Sequence, residues 1–460
     1  MLDRPAASPR SVGANDVETV FEAVRGRIEN RQALIGIVGL GYVGLPLGLA
    51  GQEAGYRVLG FDISERRVQA INAAEQVISY IPAEVMQKAR GSGRFEATAA
   101  FERLAEPDAI LICVPTPVGK NREPDLSFVE DTAQVIAANL RPGQLVVLES
   151  TTWPGTTREV VQPILERSGL VVGRDVFLAF SPEREDPGNK SFNTKTIPKV
   201  VGADDDRSRI LAMGLYERVI SEVVGVSSAA AAEATKITEN VFRSINIALV
   251  NELKLVYDAM GIDVWEVIQA AATKPFGFMP FYPGPGLGGH CIPIDPFYLT
   301  WRAREFGMET RFIELAGQIN VEMPRRVVEK LAEGLDARTG KGLNGASILV
   351  IGVAYKKNVD DLRESPSLVL MELLEHRGAK CVFHDPHIGA IPPTREHPDL
   401  AGRASSELTA QLVSSCDVVL IATDHDAVDY GLIGKAARLV VDTRNAMASR
   451  GFTNERVMKA

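Results

Sequence analysis

The sequence predicts an α/β chain: two Rossmann-like, doubly wound domains joined by a long central helix and a helical middle domain. Three observations carry that prediction. A strand, a glycine-rich turn, a helix, a second strand and an acid follow one another over Leu34–Asp62. The same order of apolar runs returns from Ala346 onward. Between them, good helix formers run without proline from Ser228 to Gly261. The expected boundaries are 1–33 for a tail and short helix, 34–227 for the first Rossmann-like domain, 228–335 for the central helical domain and 336–460 for the second.

At 460 residues the chain exceeds what one core accommodates. Its 45% hydrophobic and 24% charged fractions are those of an ordinary soluble globular protein. A net charge of −9 argues against nucleic acid or an anionic membrane surface as the main partner. A small anionic ligand stays compatible, because helix N-termini and local cations bind one within an acidic chain. No apolar run approaches the ~18 residues of a membrane span, and MLDRPAASPRSVGAND lacks the apolar core of a signal peptide. No membrane insertion is expected. Four cysteines, Cys113, Cys291, Cys381 and Cys416, lie far apart, forming neither a disulfide framework nor a metal-binding pair. A reducing cytoplasm and no metal site are expected.

After the tail, a short amphipathic helix is expected near Val17–Arg31. The apolar run Leu34–Val38 then leads into Gly39-Leu-Gly41-Tyr42-Val43-Gly44, a helical stretch to about Ala54, and a strand from Tyr56 to Phe61 that ends at Asp62. A lone G-x-G-x-x-G is weak evidence, but here a strand precedes it, a helix follows, and the acid comes about 20 residues on. Gly39 permits the tight turn, Gly41 lets backbone amides reach a pyrophosphate, Gly44 allows helix–strand packing, and Asp62 accepts the ribose hydroxyls. An acid at this strand end favours NAD over NADP, with Arg66 and Arg67 close by.

Strands are expected at Asp108–Val114 and Gln144–Leu148, near-continuous apolar runs of the kind buried on both faces. The loops that follow should face the cofactor, since ligands bind beyond the carboxyl ends of such strands. Thr116, Ser150 and Thr151 are candidate contacts there, or turn hydroxyls that bond backbone. A further strand, Val176–Phe180, runs into Ser181-Pro-Glu183-Arg184-Glu185-Asp186. These acids could supply a general base or form a solvated loop. On the central helix, Lys236 and Asn240 stand one turn apart on one face, either as a surface pair or as groups that polarise an oxygen.

Phe281–Asp295, FYPGPGLGGHCIPID, places Cys291 after a Gly288-Gly289 pair, with Asp295 four residues on. Glycine allows close backbone approach and positive φ. The thiol could be a nucleophile or an inert core cysteine in a turn. In the second α/β domain, Ser347–Gly352 parallels Leu34–Gly39 and Ala379–Asp385 parallels Tyr56–Asp62. Likewise Asp417–Thr423 parallels Asp108–Val114, and Arg438–Asp442 parallels Gln144–Glu149. The glycine fingerprint is missing there. Lys356, Arg363 and Arg444 follow strand ends and could meet phosphates or remain surface charges.

Together, IGIVGLGYVGLPLGLA, ESTTWPGTT, FSPEREDPGN, AEATKITENVFRSINIALVNE, GPGLGGHCIPIDP and GVAYKKNVDDLRESPS resemble the UDP-glucose/GDP-mannose dehydrogenase family over residues 34–450. Six ordered motifs are far more specific than one. The resemblance implies oxidation of a UDP-sugar at C6 by two NAD⁺, through a cysteine thiohemiacetal and thioester. It implies Cys291 as nucleophile, helped by Lys236, Asn240 and Asp295, and Thr151 and Glu183 in holding water and in thioester hydrolysis. The hydrolytic base stays open among Glu183, Glu185 and Asp186. It implies Gly39, Gly41, Tyr42, Val43, Gly44, Asp62, Arg67, Thr116, Ser150, Thr151 and Arg363 as dinucleotide contacts. For the UDP-sugar it implies Glu183, Arg184, Lys236, Asn240, Phe281, Tyr282, Gly284, Gly286, Gly289, Lys356 and Arg444. The glycines before Cys291 should let the sugar C6 approach sulfur. FSPEREDPGN and the stretch before Cys291 resemble the bacterial branch acting on UDP-N-acetylhexosamines, N-acetylglucosamine first, with the mannosamine, galactosamine and glucose substrates as alternatives. A homodimer or higher homo-oligomer is implied as well. A one-step hydroxyacid dehydrogenase or a non-catalytic NAD sensor would share the two nucleotide-like domains without needing the cysteine.

Overall fold

The computed structural model describes residues 14–78, 80–119, 123–184, 194–289, 292–394 and 396–460. Cys291, Glu185 and Asp186 lie outside them. The chain divides into two compact units, Met1–Glu239 with Phe297–Met308, and Asn240–Pro296 with Glu309–Ala460.

The first unit opens with α1 (Ala14–Glu29), whose Phe21, Val24 and Ile28 enter the core. Then come β1 (Leu34–Val38), α2 (Gly44–Glu53), β2 (Arg57–Phe61), α3 (Glu65–Asn72), α4 (Ala83–Gly91) and β3 (Phe95–Thr98). After these follow β4 (Ala109–Ile112), α5 (Ser127–Asn139), β5 (Leu145–Leu148), α6 (Gln162–Glu166) and β6 (Phe177–Phe180). Last are β7 (Lys199–Gly202), α7 (Asp206–Tyr216) and β8 (Val223–Val226). The sheet order is β3-β2-β1-β4-β5-β6-β7-β8. The first six strands are parallel, β7 joins β6 antiparallel, and β8 runs parallel to β7. Strand order reverses between β1 and β4, where a doubly wound sheet binds its ligand. Ile35, Ile37, Leu111 and Val147 of the central strands are fully buried, as a two-sided sheet requires.

α8 (Ala229–Met260) begins in the first unit and continues into the second. It matches the expected span and stops at Gly261, which takes φ 70°. α9 (Val264–Ala271), α10 (Asp295–Glu305) and α11 (Arg311–Thr339) follow. The second sheet is built from β9 (Ser347–Ile351), α12 (Pro366–His376), β10 (Lys380–His384), α13 (Ala410–Ser415), β11 (Val418–Ile421), α14 (Tyr430–Ala436), β12 (Val440–Asp442) and β13 (Val457–Lys459). Its strands are all parallel, in the order β10-β9-β11-β12-β13. That is the first sheet's β2-β1-β4-β5-β6 without an equivalent of β3.

The two sheets agree in detail. Gly39 and Gly352 each follow the first strand with positive φ, 93° and 79°. A Cβ on Gly39 would meet the Cys113 carbonyl oxygen at 2.8 Å, and one on Gly352 would meet that of Thr423 at 2.4 Å. Asp108 accepts from the Leu34 amide as Asp417 does from that of Ser347. Four strands escape the sequence reading: β3, β7, β8 and β13. Each has only three or four residues, and polar side chains or glycine break the apolar run in all four.

Candidate functional site

In the first unit, the turn after β1 is shaped by its glycines. A Cβ on Gly44 would lie 1.9 Å from the Gly39 carbonyl oxygen, so only glycine lets α2 start this close to the strand. Gly41 faces open space apart from the Arg67 guanidinium, 3.9 Å from such a Cβ. α2 carries no acid in its first turn, which leaves its N-terminal amides and dipole to an anion. Asp62 is half-buried and accepts from the amides of Leu40 at 3.0 Å and Ser64 at 2.9 Å. Arg67 donates to the Leu40 carbonyl at 3.0 Å, bracing the turn. Tyr42 is exposed and stacks on Tyr80 with ring centroids 6.1 Å apart. Val43 is the N-cap residue of α2. A cradle that a Cβ would fill, an acid-free helix N-terminus and a carboxylate at the next strand end together fit a dinucleotide.

The candidate hydroxyls tie neighbouring loops together. Thr116 Oγ1 donates to the Thr151 carbonyl at 2.7 Å, and Ser150 Oγ donates to that of Val114 at 2.7 Å. Each bonds across to the adjacent strand's loop rather than to its own turn. The Tyr298 hydroxyl donates to the Thr116 carbonyl from α10. The loop after β5 is further held by Glu233 of α8, fully buried, which accepts from the amides of Gly155 and Thr157 and from the Thr157 hydroxyl. Burial raises the Glu233 carboxyl, and the Thr157 hydroxyl and the two amides oppose the rise.

Beyond β6, Glu183 Oε1 accepts from the Arg184 amide at 2.7 Å, and its other oxygen lies 3.6 Å from Lys199 Nζ. Arg184 pairs with Glu239 at 2.6 Å and donates to the Pro198 carbonyl at 2.6 Å. Lys236 of α8 is buried, and no hydrogen bond or ion pair joins its ammonium to another described residue. A buried cation of this kind can meet a developing oxyanion.

In the second unit, Asn240 Nδ2 donates to Asp295 Oδ2 at 2.6 Å, and both residues are buried. That bond ties α8 to the start of α10 and fixes the amide's orientation. The glycine loop is held by a chain of buried amides. Asn320 Nδ2 donates to the Ser244 carbonyl, Asn251 Nδ2 donates to Asn320 Oδ1, and the Gly284 amide donates to Asn251 Oδ1, at 3.1, 2.9 and 3.0 Å. A Cβ on Gly284 would meet Arg444 Nη1 at 2.5 Å, which brings these two candidate substrate contacts together. Arg444 Nε donates to the Ala422 carbonyl at 3.0 Å. Gly286 and Gly289 take φ 139° and 90°. A Cβ on Gly288 or Gly289 would come within 2.8 Å of Tyr355, so these glycines let the loop after β9 pack closely here.

Phe281 packs edge-on against Phe242, and Tyr282 stacks on Trp265 at 5.5 Å. Arg363 is exposed and forks onto Asp361 of its own loop, while Lys356 is half-buried in the same loop. The sequence reading missed Glu233, Lys199, Tyr216, Asn251 and Asn320. Their partners are tens of residues away, and nothing local to each marks it; only a buried charge on an apolar strand, as in Lys199-Val-Val-Gly, gives a hint.

Comparison with known proteins matches three parts of the UDP-glucose/GDP-mannose dehydrogenase family. The NAD binding domain covers residues 33–220, the central domain 230–322 and the UDP binding domain 349–449. The chain is 35% identical to the UDP-N-acetyl-D-glucosamine 6-dehydrogenase of Pseudomonas aeruginosa, over 79% of this chain and 85% of that one. It is 32% identical to the NDP-N-acetyl-D-galactosaminuronic acid dehydrogenase of Ralstonia solanacearum, over 90% and 96%. The solved UDP-D-ManNAc dehydrogenase of Pyrococcus horikoshii superposes with a TM-score of 0.82 at 30% identity, covering 93% of this chain and 98% of that one.

Proposed function

Because the chain belongs to the UDP-glucose/GDP-mannose dehydrogenase family, we propose that it oxidises the C6 hydroxyl of a UDP-N-acetylhexosamine, UDP-N-acetylglucosamine first, to the uronate. NAD is its cofactor, and bound NAD⁺ supplies a hydride acceptor for each of the two oxidations. Gly39, Gly41 and Gly44, the start of α2, and Asp62 would hold it, with Thr116, Ser150 and Thr151 on the neighbouring loops. The Cys291 thiolate adds to the C6 aldehyde and forms a thiohemiacetal. Lys236 and Asn240 stabilise the oxygen that becomes anionic in that step, and Asp295 holds the Asn240 amide in place. After the second oxidation, water adds to the thioester carbon, the C–S bond breaks, and Glu183 accepts the water's proton. Lys356 and Arg444, on the family's UDP binding domain, would meet the diphosphate.

The observation that carries this reading is the buried Asn240–Asp295 bond at 2.6 Å, which joins two of the residues assigned to the oxyanion step. The choice of N-acetylglucosamine rests on the FSPEREDPGN and pre-cysteine motifs and on the similar Pseudomonas enzyme. The mannosamine and galactosamine substrates stay as alternatives, since the similar enzymes of Pyrococcus and Ralstonia carry those names. Incubating the protein with each UDP-sugar and following NADH at 340 nm separates them. Fastest turnover is expected with UDP-N-acetylglucosamine, and no NADH from any UDP-N-acetylhexosamine contradicts the reading.

The protein is also read as a cytoplasmic homodimer. Cys113, Cys381 and Cys416 are unbridged, in keeping with a reducing compartment, and no described helix is long and apolar enough to cross a membrane. Phe242, Leu249, Val256 and Met260 form one exposed stripe on α8, each at least 47% accessible, and a second copy would cover it. Light scattering should return twice the 49.8 kDa chain mass, and a monomer at micromolar concentration contradicts this.

A further inference from the structure

Behind Glu183 lies a buried ionic cluster that the proposed chemistry does not use. Glu149, the residue after β5, has a fully buried side chain, and Lys199 at the start of β7 is only 6% accessible. Lys199 Nζ pairs with Glu149 Oε2, and the Tyr216 hydroxyl of α7 donates to Glu149 Oε1. The ammonium also sits 5.4 Å from the centre of the Tyr216 ring and 3.6 Å from Glu183 Oε2. The buried Cys113 thiol faces the same cluster, and Ser181 Oγ, beside the Tyr216 hydroxyl, donates to the Val200 carbonyl at 2.8 Å. One ammonium thus lies between two carboxylates in a largely buried site, where burial raises the Glu149 carboxyl and Lys199 opposes the rise. Burying ionised groups together in this way is costly.

We propose that Lys199, seated on Glu149, is the positioning residue that orients Glu183 for the water step. This rests on the reading above that Glu183 accepts the proton of that water. The Arg184 amide donates to one oxygen of Glu183, and Lys199 lies within ion-pair distance of the other. Burial alone would lower the Lys199 ammonium, but Glu149 and Glu183 outweigh it and hold it above its ordinary value, so the cation persists. Without it, two carboxylates would face each other and compete for one proton.

The test follows the first NADH burst and uronate release separately, across pH, in wild type, Lys199→Met, Glu149→Gln and the double variant. In Lys199→Met the acid limb of release should rise by about one pH unit or more. At a fixed pH on that limb, release should slow by about tenfold, with the burst and the KM for the UDP-sugar little changed. Glu149→Gln, a near-isosteric change that should still fold, moves the limb the opposite way, because Lys199 then serves Glu183 alone. The double variant returns it toward wild type. A folded Lys199→Met with an unshifted limb, equal losses of burst and release, or a limb in Glu149→Gln that stays put or rises overturns the inference alone. Wild type that makes no NADH from any of the sugar nucleotides overturns the parent reading, and this inference with it.

Discussion

Lys236 and Gly44 show the two kinds of residue that local sequence reveals well. Gly44 is required because a Cβ would lie 1.9 Å from a backbone oxygen, and the G-x-G-x-x-G spacing announces that need. Lys236 was readable as a candidate because it shares a helix face with Asn240, and burial adds that its charge meets no anion among the described residues. Lys236→Ala should fold, with unchanged circular dichroism, and lose about 10²–10³ in turnover. Wild-type turnover in that variant removes the lysine from the mechanism. Other residues carry no local mark. Glu233 reaches the loop after β5 from a helix far along the chain, and Lys199 meets Glu149 across the sheet. Such pairings exist only after the strands have found their order.

Among the elements, the strand after each first helix ends in an aspartate, and the two have opposite fates. Asp62 is half-buried and accepts from two amides. Asp385 is buried and accepts from the amides of Val353, Ala354, His387 and Ile388 and from His425 Nε2 at 3.1 Å. His425 Nδ1 accepts from the Asn358 amide, so the proton on that ring sits on Nε2. The repeated fold was legible in the apolar runs, but this closure of the second acid was not, because it depends on a histidine in a different loop. Burial works to raise the Asp385 carboxyl, yet the hydrogen bonds from His425 and the amides hold it below the usual carboxylate range. A depressed carboxyl adds stability above its unfolded value, about pH 4, and loses it as pH falls through the folded value. Asp385→Asn should therefore lower the denaturation midpoint at pH 7 and flatten its decline below about pH 4. Parallel midpoint curves for the two proteins rule this out.

Across the whole molecule, the fold class was legible because both sheets are buried on two faces and so read as uninterrupted apolar runs. The short strands that extend the first sheet beyond β6 were not, since their few residues mix charge and glycine with valine. The family follows from the whole set of ordered motifs rather than from any one. The proposed function differs from a one-step dehydrogenase or an NAD sensor by one requirement: two oxidations of one carbon through Cys291. The stoichiometry of NADH formed per UDP-N-acetylglucosamine consumed, in wild type and in Cys291→Ala, tests that requirement most directly. Two NADH per sugar with uronate as product, and no uronate from the variant, is the expected result. One NADH per sugar, or uronate formation that survives loss of the thiol, contradicts it.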